Sequence, residues 1–353
     1  MEHAYCVIMA GGQGERFWPL STQNAPKPFL KVLGDKTMIQ LTVERVRRII
    51  PPERIFVALG KNHTDIARRQ LSEMGEQNLI VEPEGRDTAP CIGLAALTLL
   101  RLDSEAIMVV LPADHYVPDT DDFVRTVDKG VQCAQAGDYL VTIGIRPTRP
   151  ETGYGYIHAC ERFAASEEVV CYKSDTFVEK PDLERAEKYI EDGNYYWNAG
   201  MFIWKALSLM RAIEEHMPEL YKALLVMQDA LAAGDRRKVE ATYLGITRES
   251  IDYGLMEKAR NVLMVPAQFQ WDDIGTWSSL LRVLALDEGG NHLKGHSICI
   301  DTQNSIVFGD DVVIGTIGVS NLAIIASKQG VLVCDIHRAQ EVREIVKKLG
   351  RDK

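Results

Sequence analysis

A glycine-rich loop near the N-terminus is the first feature of this sequence with the residues to bind an anion. It has the sequence AGGQGER at positions 10–16, directly after an apolar run. Glycines let the backbone turn tightly and aim several N–H groups at one point, although a plain tight turn is the alternative interpretation. Arg16 ends the loop, and Lys27 lies between Pro26 and Pro28, whose rings keep its backbone out of a helix. Two cations beside a glycine loop suit a triphosphate.

The residues that follow the loop exclude two well-defined phosphate-binding motifs. A dinucleotide-binding fingerprint that starts at Gly12 requires glycine or alanine at position 17, which is Phe17. A Walker A loop that starts at Gly11 requires Gly-Lys-Ser/Thr at positions 16–18, where the chain has RFW. The sequence therefore favours neither a hydride-transfer enzyme nor a P-loop ATPase.

Asp114 is a candidate ligand for a metal ion. It follows the apolar run at positions 106–111, which predicts a carboxylate at the carboxyl end of a strand. Carboxylates, phosphate oxygens and water are ligands that suit Mg²⁺, whereas a helix cap or a turn residue is the alternative role. We interpret His115 as a structural neighbour, and His292 and His296 as surface residues.

The elements that must position these residues alternate between strands and helices. Strands are predicted at 5–10, 55–59, 78–81, 106–111 and 139–145, and helices at 38–50, 63–74, 89–102 and 121–136. This alternation predicts an α/β fold with a doubly wound, mixed but mostly parallel sheet and helices on both faces. Ligands bind at the carboxyl ends of the strands in such sheets, so the loops after Ala10, Val81 and Leu111 are the candidate site.

The second half of the chain is less regular. Strands are predicted at 156–159, 169–172, 176–180 and 201–204, and helices at 183–191, 205–216 and 218–233, as a second lobe on the same sheet. A break at 289–291 (GGN) precedes short strands at 297–301, 305–308, 312–315, 322–327 and 331–335 and a helix at 338–349. We therefore predict a large domain at 1–287 and a small β-rich, β-helix-like domain at 288–353.

Composition narrows the class of partner. The chain has 40 Lys and Arg against 50 Asp and Glu, a net charge of −10, and such an acidic surface disfavours nucleic-acid binding. Its apolar runs are shorter than the roughly 18–20 residues that a membrane helix needs, so no membrane partner is expected. The seven cysteines are scattered without a C-x-x-C pair, which disfavours a disulfide framework or a zinc site and fits a reducing cytoplasm.

Eight motifs occur in an order that resembles the sugar-1-phosphate nucleotidyltransferases, with most similarity to the mannose-1-phosphate guanylyltransferases. They are AGGQGERFWPLS at 10–21 with PK at 26–27, GRDTAP at 85–90, LPADH at 111–115, GYGYI at 153–157, VEKP at 178–181, WNAGM at 197–201, SIDY at 250–253 and WDDIGTW at 271–277. The resemblance implies a Rossmann-like nucleotidyltransferase fold. It also implies transfer of GMP from GTP to α-D-mannose 1-phosphate, with Mg²⁺ as cofactor and GDP-mannose and pyrophosphate as products.

The resemblance also assigns roles residue by residue. Asp273 is implied as the second metal ligand beside Asp114, with Asp272 as the alternative, and Lys180 as the clamp on the sugar phosphate. The implied catalytic residues are Arg16, Lys27, Asp114, Lys180 and Asp273. The implied nucleotide-binding residues are Ala10, Gly11, Gly12, Gly14, Glu15, Arg16, Lys27, Glu82, Asp87, Thr88 and Asp114. The implied sugar-phosphate-binding residues are Gly153, Tyr154, Gly155, Glu179, Lys180, Asn198 and Gly200.

Several alternatives remain open from the sequence. Guanine presents N–H donors, and Glu82, Asp87 and Thr88 all offer acceptors for them without a choice among the three. The competing functions are nucleotidyl transfer with another sugar 1-phosphate or another nucleotide, and non-catalytic sensing of sugar nucleotides. The presence of all five charged residues that the resemblance implies as catalytic disfavours the sensor. We also expect a homodimer, because the apolar runs at 322–326 and 331–333 of the β-rich domain need a partner surface.

Overall fold

A nine-stranded sheet forms the centre of the protein, whose computed structural model describes residues 1–12, 14–166 and 169–351. Gln13 of the glycine loop and positions 352–353 of the predicted second domain lie outside the described residues. The strands are β1 (Ala4–Met9), β2 (Ile55–Gly60), β3 (Leu79–Glu82), β4 (Ile107–Pro112), β5 (Leu140–Ile145), β6 (Tyr156–Ala164), β7 (Val170–Val178), β8 (Tyr195–Lys205) and β9 (Val262–Pro266). Their order is β3-β2-β1-β4-β8-β5-β9-β7-β6, with a further pairing of β8 to β6.

Most strands of this sheet run in one direction. The strands β3, β2, β1 and β4 pair in parallel, as do β5 and β9, whereas β7 and β8 run against their neighbours. Successive residues of a strand point to opposite faces. In β1, Ala4, Cys6 and Ile8 therefore enter one core, and Tyr5 and Val7 enter another. The predicted mixed, mostly parallel sheet with both faces covered is confirmed.

Helices cover the two faces. They are α1 (Met38–Val46), α2 (Thr64–Gln70), α3 (Thr88–Leu102), α4 (Thr120–Gln135), α5 (Leu183–Asp192), α6 (Ala206–His216), α7 (Pro218–Ala232), α8 (Arg236–Leu244), α9 (Leu280–Val283) and α10 (Val342–Arg351). Apolar side chains of α1 and α4 enter one core, and those of α3, α6 and α7 enter the other. Within the described ranges, none of the helices has the length and apolar character to cross a membrane.

A separate four-stranded sheet follows the last strand of the large sheet. It comprises β10 (His292–Ile300), β11 (Ile306–Ile317), β12 (Leu322–Ser327) and β13 (Gly330–Asp335), in that order. The strands β10, β11 and β12 are parallel although only short turns join them, which requires the chain to coil as in a β-helix. The hairpin of β12 and β13 ends the sheet. The predicted β-rich C-terminal region is confirmed.

Two pairs of predicted strands are each a single strand. The polar stretch at 309–311 does not end β11. The pairing with β10 shifts its register there, between Lys294 and His296, and Asp311 adopts a positive φ of 60°. The polar residues at 173–175 likewise stay within β7, where Lys173 and Ser174 pair with the neighbouring strand β6 and a register shift skips Asp175. Local polarity predicted breaks in both places, whereas pairing on each side of an irregularity keeps each strand continuous. The elements β9 and α8 were not predicted from the sequence.

The four-stranded sheet packs against the large domain of its own chain. A third core joins Phe17, Trp277 and Leu280 to apolar residues of the C-terminal region: Ile306, Phe308, Ala323, Ile325, Leu332, Ile336, Ala339 and Val342. The apolar run at 322–326 is therefore covered by its own chain. The reason given for a homodimer, that this run needs the surface of a partner subunit, is wrong. Val331 and Val333 stay exposed at 62% and 60%.

Candidate active site

A cavity of about 400 Å³ opens at the carboxyl ends of β1, β3 and β4. This is the edge at which doubly wound sheets bind ligands. Segments from both halves of the large domain meet around it. The cavity is lined by twelve of the predicted site residues: Gly11, Gly12, Glu82, Asp87, Thr88, Gly153, Tyr154, Gly155, Glu179, Asn198, Gly200 and Asp273.

A second cavity of about 520 Å³ adjoins the first, and His115 and Asp273 line both. It is lined by five further predicted residues: Gly14, Glu15, Arg16, Lys27 and Asp114. Carboxylates without a lysine or arginine are among the residues described as lining the first cavity, whereas acidic and basic side chains together line the second, called here the charged cavity. Ala10 is buried at the start of the loop, and its N–H donates to the carbonyl of Ala58 at 2.8 Å. It is therefore not among the residues described as lining either cavity.

The glycine loop is shaped by contact with Lys27. Gly14 has a φ of 63°, in the left-handed region, and a β-carbon there would lie 2.5 Å from Cβ of Lys27. Only glycine fits this position, for reasons of both conformation and space. The loop continues into a short 3₁₀ helix (Glu15–Phe17), whose buried Phe17 packs on Trp277 with ring centroids 4.9 Å apart. The loop is therefore held against both Lys27 and the WDDIGTW segment.

Lys27 joins the two predicted metal ligands. Its Nζ lies 2.9 Å from Oδ2 of Asp114 and donates to the backbone carbonyl of Asp273 at 2.6 Å. The lysine is buried, so these contacts fix the charge in place. Burial opposes ionisation of Asp114, but the Lys27 ammonium holds the pKa of this carboxyl below its usual value. Asp114 is therefore an anion at neutral pH.

The adjacent carboxylates of Asp272 and Asp273 point to different surroundings. Asp272 is buried, forms an ion pair with Arg282 at 2.8 Å and accepts a hydrogen bond from the N–H of Ile274. Asp273 lines both cavities, and its Oδ1 accepts from the hydroxyl of Tyr154 at 2.7 Å. Of these two carboxylates, that of Asp273 lines the two adjoining cavities and that of Asp272 does not.

The carboxylates of Asp114 and Asp273 are of the ligand type that binds magnesium. Asp114 and Asp273 both line the second cavity, and Mg²⁺ prefers oxygen ligands. Among the described residues no cluster of three or more His, Cys, Asp or Glu side chains is arranged to hold a metal. Two carboxylates, with phosphate oxygens and water, are nevertheless a common set for Mg²⁺ in phosphoryl-transfer sites.

Glu82 is the buried acceptor on the first cavity. It is the last residue of β3, it is 3% exposed, and its Oε1 accepts from the hydroxyl of Tyr243 at 2.5 Å. Burial raises the pKa of this carboxyl. Its Oε2 faces Gly11, where an added β-carbon would lie 3.5 Å from it. This places the carboxylate beside the glycine loop.

Asp87 and Thr88 have local roles at the start of α3. Asp87 has a φ of 70°, and its carboxylate accepts from the N–H of Thr88 at 2.8 Å, which caps the helix. The Thr88 hydroxyl accepts from the N–H of Ile251 at 2.8 Å and so ties the helix to the SIDY segment. Both residues line the cavity, and Oδ1 of Asp87 and the Thr88 hydroxyl each already accept from a backbone N–H.

Aromatic rings form the wall on the side of the second lobe. Tyr154 packs edge-on against Trp197 at 5.2 Å and against Trp271 at 5.1 Å. Burial, followed by the charge of Asp273, raises the pKa of the Tyr154 phenol, so the ring remains a hydrogen-bond donor. The wall thereby supports the position of the Asp273 carboxylate.

His115 stands between the two cavities. Burial lowers its pKa to about 4, and its Nδ1 accepts from the indole N–H of Trp271 at 3.1 Å. A neutral imidazole that accepts at Nδ1 carries its proton on Nε2. His115 is thus a neutral, oriented side chain at the junction of the chambers.

Glu179 and Lys180 lie at the rim of the first cavity. Glu179 lines it, and an added β-carbon at Gly155 would lie 2.5 Å from Oε2 of this carboxylate and would displace it from its present position. The ammonium of Lys180 forms an ion pair with Oε1 of Glu179. The Lys180 side chain is half-exposed and is not among the residues described as lining the cavity. Lys180 has a φ of 50°, an uncommon conformation for a residue with a β-carbon.

Asp252 is a site residue to which sequence reasoning gave no role. It lines the first cavity, and its Oδ1 accepts from Nδ2 of Asn198 at 2.8 Å. Burial, followed by the negative charge of Glu179, raises its pKa to about 7. The SIDY motif contained this residue, but no local pattern indicated that it would meet Asn198 and Glu179.

The elevated pKa of Asp252 predicts a pH-dependent stability. A carboxyl whose pKa is higher in the folded than in the unfolded state favours folding at low pH, and this contribution is lost as pH rises through about 7. Asp252→Asn should therefore raise Tm relative to the wild-type protein by roughly 2–4 °C at pH 8 and by less at pH 5. Thermal denaturation at both pH values measures this difference.

The exposed Asp121 provides the matched control, because it lies on the surface in an ion pair with Arg48. Asp121→Asn should change Tm equally at pH 5 and pH 8. If Asp252→Asn changes Tm by the same amount at both pH values, the raised pKa of the Asp252 carboxyl is contradicted.

Comparisons with known proteins agree with this geometry. Residues 5–289 match the nucleotidyl transferase family model, and residues 295–349 match the MannoseP isomerase/GMP-like beta-helix domain. The chain is 38% identical to the mannose-1-phosphate guanylyltransferase of Escherichia coli K12 over 357 residues, covering 99% of this chain and 74% of that protein. It is 35% identical to the alginate biosynthesis protein AlgA of Pseudomonas aeruginosa, covering 97% and 71% of the two chains.

A solved structure is similar over the full length. It comes from Thermus thermophilus and is described as a mannose-1-phosphate geranyltransferase, with a TM-score of 0.90, 38% identity and 99% coverage of both chains. The family model covers most of this chain, including nearly all the residues that line the two cavities. This chain therefore belongs to the nucleotidyl transferase family, as a homologue of the mannose-1-phosphate guanylyltransferases.

Proposed function

We propose that this protein transfers GMP from GTP to α-D-mannose 1-phosphate and releases GDP-mannose and pyrophosphate. The observation that carries the proposal is the pair of adjoining cavities. One cavity is lined by acceptor groups, among them carboxylates, and the other contains Arg16, Lys27, Asp114 and Asp273. The homology to mannose-1-phosphate guanylyltransferases supports the choice of GTP and mannose 1-phosphate.

The proposed chemistry needs positioning and charge neutralisation. An oxygen of the sugar phosphate forms a bond to the α-phosphorus of GTP while the bond from that phosphorus to the bridging oxygen breaks, and pyrophosphate leaves with the electron pair. The nucleophile is already an anion, so no general base is required. Arg16 and Lys27, which line the second cavity, would bind the leaving phosphates.

We propose that Asp114 and Asp273 hold Mg²⁺ at the junction of the cavities. The ion would neutralise charge on the phosphate oxygens during the transfer. Lys27 would keep Asp114 ionised, as its 2.9 Å contact and the lowered pKa of that carboxyl support. Tyr154 would orient Asp273 through its hydrogen bond to Oδ1.

We propose Glu82 as the residue that reads the base. Guanine presents N1–H and N2–H₂ donors, and a carboxylate is an acceptor only. Glu82 is buried, and its Oε2 faces the glycine loop, whereas Oδ1 of Asp87 and the Thr88 hydroxyl accept from backbone N–H groups. Glu179, Asn198 and the turn at 153–155 would bind the sugar phosphate, with Lys180 reaching it from the rim.

A pyrophosphate-release assay over a matrix of nucleotides and sugar 1-phosphates tests the proposal. We expect GTP with mannose 1-phosphate to give the highest kcat/KM. A preference for UTP, dTTP, ATP or CTP would contradict the base assignment, and pyrophosphate release with no pair in the matrix would favour a non-catalytic sensor.

Glu82→Gln in the same matrix tests the base reader. The amide presents its NH₂ group as well as an acceptor, so the variant should lose about tenfold or more in kcat/KM for GTP, because a buried partner is left unpaired. The exposed Glu84, which pairs with Arg86 and Arg248, is the control position, and Glu84→Gln should leave the nucleotide preference unchanged.

We also propose a homodimer that is formed through the C-terminal sheet. Six apolar side chains of this sheet are at least half exposed: Ile298, Ile300, Val313, Ile317, Val331 and Val333. Exposed apolar patches of this kind mark association surfaces. Light scattering at micromolar concentration should give the mass of at least a dimer, and Ile317→Lys together with Val331→Lys should lower it. A wild-type protein that is strictly monomeric would refute this proposal.

The remaining assignments follow from the sequence. We propose that the functional domain boundary lies near residue 287, and that the protein works in the cytoplasm, as the scattered cysteines favour.

A further inference from the structure

The C-terminal helix lies against the segment that follows the glycine loop. Val342, the first residue of α10, is 2% exposed and belongs to the core that also contains Phe17 and Trp277. Phe17 is the last residue of the 3₁₀ helix after the loop. The start of α10 is therefore fixed relative to the loop by buried apolar contacts.

The residue after Val342 reaches the charged cavity. Arg343 lines the second cavity together with Arg16, Lys27, Asp114 and Asp273. Its side chain is 53% exposed, and its Nε lies 3.6 Å from Oε1 of Glu344, a surface ion pair. Such exposed pairs contribute little, so the guanidinium can turn to a better anion without a large loss.

The charges of this cavity leave a role for another cation. Glu15, Asp114 and Asp273 supply three carboxylates against the cations Arg16 and Lys27; Lys27 is already in contact with Asp114, and the proposed Mg²⁺ would be bound by Asp114 and Asp273. A triphosphate would add further negative charge to the same chamber. Arginine presents several N–H donors in a planar fork that matches phosphate oxygens.

We propose that Arg343, contributed by the C-terminal β-rich region, binds the terminal phosphates of the nucleoside triphosphate and the pyrophosphate that leaves. The inference rests on the proposed GMP transfer, and it gives the C-terminal region a direct part in the active site. Val342 positions the arginine by packing on the core around Phe17, so the loop and its phosphate ligand are held from both domains.

Steady-state kinetics in both directions test this role. Arg343→Ala should raise KM for GTP, and KM for pyrophosphate in the reverse reaction with GDP-mannose, by about tenfold, the size expected for a lost charge-assisted hydrogen bond. The KM for mannose 1-phosphate should change less than about twofold, because that substrate binds in the other cavity. Arg343→Lys should recover part of the loss, since an ammonium keeps the charge but not the fork.

A direct binding measurement separates this inference from the proposed function. Calorimetric titration of inorganic pyrophosphate into the full-length protein should show about tenfold weaker binding for Arg343→Ala. The control is Arg338→Ala, an exposed arginine of the same region that is paired with Glu341. Unfolding curves of the variants should superimpose, because Arg343 is at an exposed position of the helix.

Each outcome is decisive. If the wild-type protein transfers GMP but Arg343→Ala retains wild-type affinity for pyrophosphate and wild-type KM values, the inference is wrong. An equal loss in Arg338→Ala, or an equal rise in KM for mannose 1-phosphate, would also overturn it in favour of a general charge effect or a structural effect. If the wild-type protein transfers no nucleotide, the proposed function fails, while the pyrophosphate titration still decides on Arg343.

Discussion

Asp114→Asn and Asp273→Asn should each lower kcat by about 10² or more, the scale of losing a preorganised electrostatic group. Both carboxylates line the charged cavity, and Lys27 contacts both residues, through Oδ2 of Asp114 and the backbone carbonyl of Asp273. An amide keeps the shape of the side chain but removes the negative charge that a magnesium ion requires. Initial rates over a range of Mg²⁺ concentrations should show that both variants need more Mg²⁺ for half-maximal activity.

The controls distinguish metal binding from a general loss of charge. Asp121→Asn, at an exposed position in an ion pair with Arg48, should retain wild-type kcat and Mg²⁺ dependence. Asp272→Asn should retain wild-type Mg²⁺ dependence, because Asp272 pairs with Arg282 and is not among the residues described as lining the two cavities. Full activity in EDTA, or wild-type kcat in both Asp114→Asn and Asp273→Asn, would refute the proposed metal site.

Lys27→Ala and Lys180→Ala should have different kinetic effects. Lys27 is buried in the charged cavity, where the charge of the leaving pyrophosphate grows only in the transition state, so its loss should mainly lower kcat. Lys180 lies at the rim of the other cavity beside Glu179, so its loss should mainly raise KM for mannose 1-phosphate. Each effect should be about 10- to 100-fold, since hydrogen bonds to charged groups contribute about 1.5–3 kcal/mol.

Kinetics with each substrate varied in turn measure this division. Lys36→Ala is a suitable control, because Lys36 is exposed and pairs only with Glu44 among the described residues. If Lys180→Ala weakens GTP binding and spares mannose 1-phosphate, the assignment of Lys180 to the sugar phosphate is wrong. If Lys27→Ala changes only KM for GTP, Lys27 binds the ground state and has no special role in the departure of pyrophosphate.

The sequence by itself determined the class of fold and most element positions. Helical and strand periodicity are set by neighbouring residues, so α3 was predicted at 89–102 and lies at Thr88–Leu102. The eight motifs were sufficient to identify the family, because each is a short segment that can be recognised without the fold. The glycine loop, Lys27 and Asp114 could be named for the same reason, and the structure places them around two adjoining cavities.

Tertiary structure decided the questions that depend on distant segments. The contact of Lys27 with Asp273 joins residues 246 positions apart, and no local pattern encodes such a separation. The choice between the neighbours Asp272 and Asp273 depends on Arg282, which captures one carboxylate and leaves the other at the cavity. Likewise, the apolar run at 322–326 showed only that a covering surface was needed. Tertiary packing shows that its own chain supplies this surface. The same packing brings Arg343 to the charged cavity.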